Sequence, residues 1–446
     1  MRQLLLLTLA TGCGDVTINV GDEGDTGTRP DSGDTAGETG DPDTGDTDTG
    51  RDTDTGSGWT GGGAWGLGAI TEIASSGGII RGAWLRDAND DGHLDLLLDV
   101  SDYSGGEDTR EQAIVYPGDG AGHFGSPIIT VGAGYDTNVA APDLGDLDGD
   151  GHPDLLTRIA GGYGVFFGNG HGFGAQVPIT RPGWTYVTDA RVADVDGDGN
   201  DDVVTAGCCD SGSLTLSLER WDGSTMSAYA TFPLASSGAG YQTSIADAPS
   251  VTADGVTFTA LPGAYEDVGG ALATWTILAF DDGTGMKYQV GDAGWRYSWD
   301  LWWAGVPADV DGDGVSELLT LGYDGLQVGP ADRADRPTVV SSATNERNGY
   351  QLAAFDMNDD GHPDSIEELG LYHSNTERTG MALGIALGNG TSLDAESTYE
   401  LPFAAWGSTY PQLAVGDVAE DGCGDVVVVT GDMNDTVQLV LGACGE

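Results

Sequence analysis

The chain has 446 residues, with 72 Asp+Glu against 16 Lys+Arg, a net charge of −56 and 75 Gly. That charge repels phosphate backbones and excludes nucleic acid as a partner. No Gly-x-Ser-x-Gly elbow, phosphate loop, zinc spacing or dinucleotide fingerprint is present, which argues against the enzyme classes that carry them.

In chain order, Met1-Arg2 and the apolar run Leu4–Ala10 come first. The run is too short to span a membrane as a helix and reads as a signal peptide. Ala10-Thr11-Gly12-Cys13 resembles a bacterial lipoprotein cleavage box, with Ala10 where Leu is usual. The resemblance implies removal of residues 1–12, lipidation of Cys13, and a place at the outer surface of the cell envelope. Membrane contact would then be through that lipid alone. Ordinary secretion with an incidental Cys is the alternative. Residues 13–63 are Asp, Thr and Gly with almost no apolar side chains. They cannot bury a core and read as a disordered acidic tether, reaching roughly 40 Å if flexible.

From residue 64 to 446 a short apolar stretch repeatedly runs into an Asp/Gly loop and out into another apolar stretch. Five loops place oxygen-bearing residues at positions 1, 3, 5 and 9, with Gly at 6 and a backbone carbonyl offered at 7. They are Asp87, Asn89, Asp91, His93, Asp95; Asp146, Asp148, Asp150, His152, Asp154; Asp194, Asp196, Asp198, Asn200, Asp202; Asp309, Asp311, Asp313, Val315, Glu317; and Asp356, Asn358, Asp360, His362, Asp364. Calcium takes six to eight hard oxygens, and this spacing wraps one ion. So many carboxylates within nine residues repel one another without a cation. Five divalent ions would offset about ten of the negative charges. An EF-hand would need a Glu at position 12, and four of the five loops lack it. Each loop runs instead into a short strand such as Asp202-Val-Val-Thr205.

The loops recur about every 50–60 residues, except that the step from Asp194 to Asp309 is about double. A degraded unit fills that gap around Asp247 and Asp254. Another, at Asp417, keeps Asp421, Gly422 and Asp425 but has Ala419 at position 3. Each unit supplies four strands, with a Gly-rich turn between the third and fourth, as in Gly168-Asn-Gly-His-Gly-Phe173. The last unit stops after three strands. Leu67–Ala74, at the start of the domain, supplies the missing one. The expectation is an all-β, seven-bladed propeller closed by its own first strand, which leaves no exposed sheet edge.

The Asp-x-Asp-x-Asp-Gly-x-x-Asp core and the Gly-rich turn before an aromatic resemble the FG-GAP/VCBS repeats, the propeller of integrin α-subunits and of many bacterial surface proteins. That resemblance covers residues about 64–446. It implies that the five complete loops hold calcium on one face and that partners bind the other.

If Cys13 is lipidated, four cysteines remain, in an oxidising compartment. Strand order puts Cys423 and Cys444 at the same end of the last blade, so a disulfide between them is expected. Cys208 and Cys209 lie at the other end, either as a vicinal disulfide or as free thiols. Of the six His, three sit at position 7 of the loops, His123 and His171 fall in Gly-rich turns, and His373 has no partner by spacing.

Aromatic residues recur between the fourth strand of one unit and the first of the next. They include Tyr135, Trp184, Tyr186, Tyr241, Trp295, Tyr297, Trp299, Tyr350, Trp406 and Tyr410. Strand order places these connections opposite the acidic loops. Such residues stack on sugars, anchor protein partners, or wedge between blades. The densest set, Trp295, Tyr297 and Trp299, with Trp184, Tyr186 and Trp406, is the candidate ligand site. The expected function is non-catalytic binding of a protein or glycan. A polysaccharide-active lyase or hydrolase and a structural surface component are the alternatives.

Overall fold

The computed structural model describes residues 65–444 apart from 76–77, 103–109, 133–142, 160–161, 181–183, 197, 210–213, 234–242, 246–249, 254–255, 267–271, 282–285, 292–304, 313–316, 323–324, 331–337, 340–346, 375–376, 403–411 and 431–434. The chain divides into two units, Met1–Thr60 and Gly61–Glu446. The leader, Cys13 and nearly all of the acidic segment belong to the first and lie outside the described residues.

Strand pairing is antiparallel throughout. After β1 (Trp65–Ser75), the first sheet is β2 (Ile79–Arg86), β3 (Asp95–Asp102), β4 (Arg110–Tyr116) and β5 (Ile128–Val131). The second is β6 (Asp143–Gly145), β7 (Asp154–Ile159), β8 (Gly162–Phe166) and β9 (Val177–Thr180). The third is β10 (Trp184–Ala193), β11 (Asp202–Cys209), β12 (Leu214–Trp221) and β13 (Met226–Pro233). The fourth has five strands: β14 (Thr243–Ile245), β15 (Ser250–Ala253), β16 (Val256–Glu266), β17 (Leu272–Asp281) and β18 (Met286–Gly291). The fifth is β19 (Gly305–Ala308), β20 (Glu317–Gly322), β21 (Gly325–Pro330) and β22 (Thr338–Val339). The sixth is β23 (Arg347–Phe355), β24 (Asp364–Ser374), β25 (Glu377–Ala386) and β26 (Ser397–Leu401). The last is β27 (Leu413–Gly416), β28 (Asp425–Thr430) and β29 (Thr436–Cys444), and β1 adds to β29 as its fourth strand.

Burial explains why the middle strands read as unbroken apolar runs. All six residues of β28 and all five of β8 are buried. A strand covered on both faces needs no polar alternation. Successive residues of β28 face opposite ways. Val427 and Val429 join a cluster with Ile80, Leu96, Leu98 and Ile114 of the first sheet. Val426 and Val428 join one with Ile366, Leu383 and Ile385 of the sixth. Similar clusters link the first and second sheets through Ala113, Leu155 and Phe166. Leu156, Val165, Val187 and Val203 link the second and third, and Ala308, Leu319, Leu352 and Ala386 the fifth and sixth. Neighbouring first strands lie side by side, as for β6 with β10, β10 with β14, β19 with β23, β23 with β27, and β27 with β2. The first four sheets and the last three stack in chain order, with the last against the first, in a propeller-like all-β fold. The outermost strand β5 instead exposes Ile128, Ile129 and Val131.

Two expectations need correction. Trp184 and Tyr186 are not in a connection: they lie in β10, whose Trp184 and Tyr186 register with Cys209 and Cys208. The long partner β11 extends pairing into what the sequence reads as a linker, and aromatic residues favour that pleated surface. Tyr350 likewise lies in β23. In the degraded fourth unit the acidic loop has become the hairpin β15–β16, with Ala253 opposite Val256. Without ligands to hold, that stretch pairs its backbone instead.

Candidate metal loops

Each complete loop leaves the first strand of a sheet and ends at the first residue of the second. The loop at Asp146 shows how local chemistry shapes it. Asp146 Oδ1 accepts from the amides of Gly149 (2.8 Å) and Asp150 (3.1 Å), and its Oδ2 from Gly151 (2.8 Å). Asp150 Oδ1 accepts from His152 N at 2.9 Å. The position-1 bond to the position-6 Gly amide recurs at Asp87, Asp194, Asp356 and Asp417. Gly is required there because φ is +83° to +91° at Gly92, Gly151, Gly199, Gly361 and Gly422. Position 4 is also left-handed, with Asp90, Asp359 and Glu420 tolerating φ of 60°, 54° and 51°.

The position-9 carboxylate closes the loop and locks the sheet. It is buried at Asp95, Asp154, Asp202, Asp364 and Asp425. One oxygen accepts from the position-2 amide: Ala88, Leu147, Val195, Met357 or Val418. In four sheets the other accepts from a glycine amide: Gly118, Gly168 or Gly388, each two residues past the third strand, or Gly442 within β29. Burial pushes Asp154, Asp202 and Asp364 up to about 7 and Asp425 to about 6. A cation alongside would favour the charged form and reverse that shift.

Carboxylate oxygens converge within 4.8 Å of one another in three loops: Asp146, Asp148 and Asp154; Asp194, Asp196 and Asp202; Asp309, Asp311 and Glu317. These all-oxygen sets fit a hard divalent cation. Asp313 and Val315 lie outside the described residues. The loops at Asp87 and Asp356 carry Asn at position 3, whose amide nitrogens donate to Asp95 Oδ1 (3.5 Å) and Asp360 Oδ2 (3.0 Å). An amide turned about would offer oxygen in the same place.

The position-7 side chains have a role that the spacing does not announce. The rings of His93, His152 and His362 lie over Gly120, Gly170 and Gly390 of the adjacent turn, so that a Cβ at any of these glycines would collide with the ring. The signal was in the sequence: His stands at position 7 only where a Gly-[Asp/Asn]-Gly turn comes after it. Where Asn200 and Val315 stand, that turn is missing. His93 Nδ1 also pairs with Glu420 of the loop at Asp417, which raises the His93 pKa. Neighbouring loops clasp elsewhere too. Asp146 N donates to Asp201 Oδ2 and Asp201 N to Asp146 O, both at 2.8 Å, and Gly424 N donates to Met357 O at 3.0 Å.

Arg220, on β12, is the residue that spacing missed. Its guanidinium pairs with Asp196 Oδ2 and lies 3.6 Å from Asp198 Oδ2. Cys423 and Cys444 are joined as a disulfide, Cα atoms 5.8 Å apart. Of the aromatic candidates, Trp295, Tyr297, Trp299 and Trp406 lie outside the described residues. Cys208 and Cys209 end β11, at the end away from the loops.

No family model matches the chain, and no curated protein matches it. Solved structures similar to it include a lectin of Agrocybe aegerita, described for recognition of non-reducing terminal N-acetylglucosamine. It is 16% identical, with 73% of this chain and 86% of that one covered, TM-score 0.41. The NanB sialidase of Streptococcus pneumoniae is 12% identical over 84% of this chain and 70% of that one, TM-score 0.38. AofleA of Arthrobotrys oligospora is 10% identical over 75% and 90%, TM-score 0.41.

Proposed function

We propose that the chain is a calcium-stabilised, seven-bladed propeller of the FG-GAP/VCBS type. It is held at the outer cell envelope by lipid on Cys13, and it binds a protein or glycan without transforming it. The observation that carries the metal reading is the same hydrogen-bonded loop repeated from sheet to sheet, with three carboxylates converging in three copies. Seven sheets with β1 completing the last support the blade count. Calcium, when bound, would supply the charge that lets these acids sit together. Asp146, Asp148 and Asp154 in the second sheet, and Asp309, Asp311 and Glu317 in the fifth, would hold it, while the position-9 acid ties the loop to the sheet.

The ligand reading rests on the aromatic segment 292–304. Its flanks, Gly291 of β18 and Gly305 of β19, lie by strand order at the end of their sheets opposite the acidic loops. The metal loops hold one end rigid, and recognition uses the other. A glycan array and a turnover assay on mixed polysaccharides test this together. Binding without turnover, lost in a Trp295→Ala/Trp299→Ala variant of unchanged melting temperature, is the expected result. Turnover would replace the reading with an enzymatic one, and strong destabilisation by the two substitutions would make those residues packing wedges.

A further inference from the structure

The acids of the loop at Asp194 match those of the loop at Asp146 position for position: Asp194, Asp196, Asp198 and Asp202 against Asp146, Asp148, Asp150 and Asp154. Their surroundings differ. In the third sheet Val203 registers with Glu219, so Arg220 is the next residue of the third strand. The same register position holds Pro117, Phe167, Pro330, Leu387 and Leu441 in the first, second, fifth, sixth and last sheets. None of these carries a charge. Arg220 puts a guanidinium against Asp196 and near Asp198. The Asp196 side chain is only 7% exposed, and its Oδ1 is buried with no hydrogen-bond partner. The Arg220 guanidinium lies 4.4 Å from the centre of the Tyr229 ring, and the Tyr229 hydroxyl donates to Asp202 Oδ2 at 2.7 Å. Tyr229 thus adds a hydroxyl to the closing acid at the oxygen that also takes the Val195 amide, whereas in four other sheets the opposite oxygen takes a glycine amide. The third sheet has Trp221 in place of that glycine.

We propose that Arg220 is the tethered cation of the loop at Asp194, and that this loop, unlike its twin at Asp146, stands without a divalent ion. A guanidinium is always charged, and its planar fork suits paired carboxylate oxygens. Fixed in place by the Tyr229 ring, it offsets one of the loop's negative charges. It also repels any second cation brought close to the same oxygens. The third sheet would then keep its loop when calcium is scarce, while its neighbours soften. The metal half of the proposal rests on the calcium reading above; the charge-compensation half does not.

The test uses the full chain and two measurements: bound calcium per chain by elemental analysis after dialysis against saturating calcium, and melting in chelator. Asp196→Asn in the parent is expected to leave the calcium count unchanged, whereas Asp148→Asn lowers it by one. Arg220→Met is expected to raise the count by one. In chelator it should melt several degrees below the parent, and Asp196→Asn should restore part of that loss. A count that drops by one in Asp196→Asn overturns the proposal, as does an unchanged melting temperature in chelator for Arg220→Met. If no variant binds calcium, the calcium reading fails by itself, and the chelator melting of Arg220→Met and its Asp196→Asn double variant decides the role of Arg220. Should Arg220→Met not fold, the Asp196→Asn count decides.

Discussion

Single residues set where charge is tolerated. Asp148 is mostly exposed, carries no structural bond beyond the loop and converges with Asp146 and Asp154. Asp148→Asn is therefore expected to remove one calcium per chain while leaving the fold intact, as elemental analysis and circular dichroism would show. A count equal to the parent's would remove that loop from the metal set. A second acidic feature lies away from the loops. Asp99 and Glu111 are fully buried on β3 and β4; Glu111 Oε1 accepts from Ser101 Oγ at 2.9 Å, and Ser101 Oγ accepts from Arg81 Nε at 3.3 Å. One arginine serves two carboxylates. Burial pushes Asp99 up to about 6, and burial with the neighbouring Asp99 charge holds Glu111 well above the usual range. The folded state therefore keeps protons that the unfolded chain releases. Their stabilising contribution is full below the ordinary carboxylate range and is lost as pH rises through about 6. Asp99→Asn should accordingly melt above the parent by a margin that widens from pH 5 to pH 8. A margin independent of pH would show that the pair does not carry this proton.

Among the strands, β1 is the decisive one. It pairs with β29 from Trp65–Cys444 to Ser75–Thr436, closing the last sheet with residues more than 360 positions away in sequence. Trp65 is buried, its indole N–H donates to Gly424 O at 2.8 Å, and its ring meets Tyr399 edge-on at 5.0 Å. Trp65→Ala is expected to cost about 3–5 kcal/mol, as burying less of a large ring and leaving a cavity should. Denaturant unfolding measures it, and a loss below about 1 kcal/mol would mean the ring is not seated. Deleting residues 65–75 bares the length of β29 as an open edge, so the shortened chain is expected to aggregate on size-exclusion chromatography. A stable monomer would mean that the last sheet does not need its fourth strand. The disulfide Cys423–Cys444 ties β29 to the loop that leads into β28 in the same sheet.

Across the molecule, the acidic loops are coupled by contacts between sheets, so on the proposed reading calcium would act on the assembly. Binding to the folded state alone adds about 2.7 kcal/mol per site at a hundredfold excess over Kd. Chelator is therefore expected to lower the melting temperature by many degrees; identical curves with and without calcium, and no metal by elemental analysis, would end the calcium reading. The order of amino acids was enough to specify the repeat, the strand order, the loops and the strand that completes the last sheet. These are written in local terms: acids at alternate positions around a required glycine, apolar runs long enough for one strand, and a final unit one strand short. The ends of strands were less legible, because pairing with β11 draws Trp184 and Tyr186 into β10 from what reads as a linker. Which side chains meet was settled only by folding. Arg220 reaches Asp196 through strand register, Asp99 meets Glu111 across two strands, and His93 reaches Glu420, 327 residues away in sequence. Each partner lies beyond the span over which spacing carries information, and the contact exists only once sheets are paired and stacked.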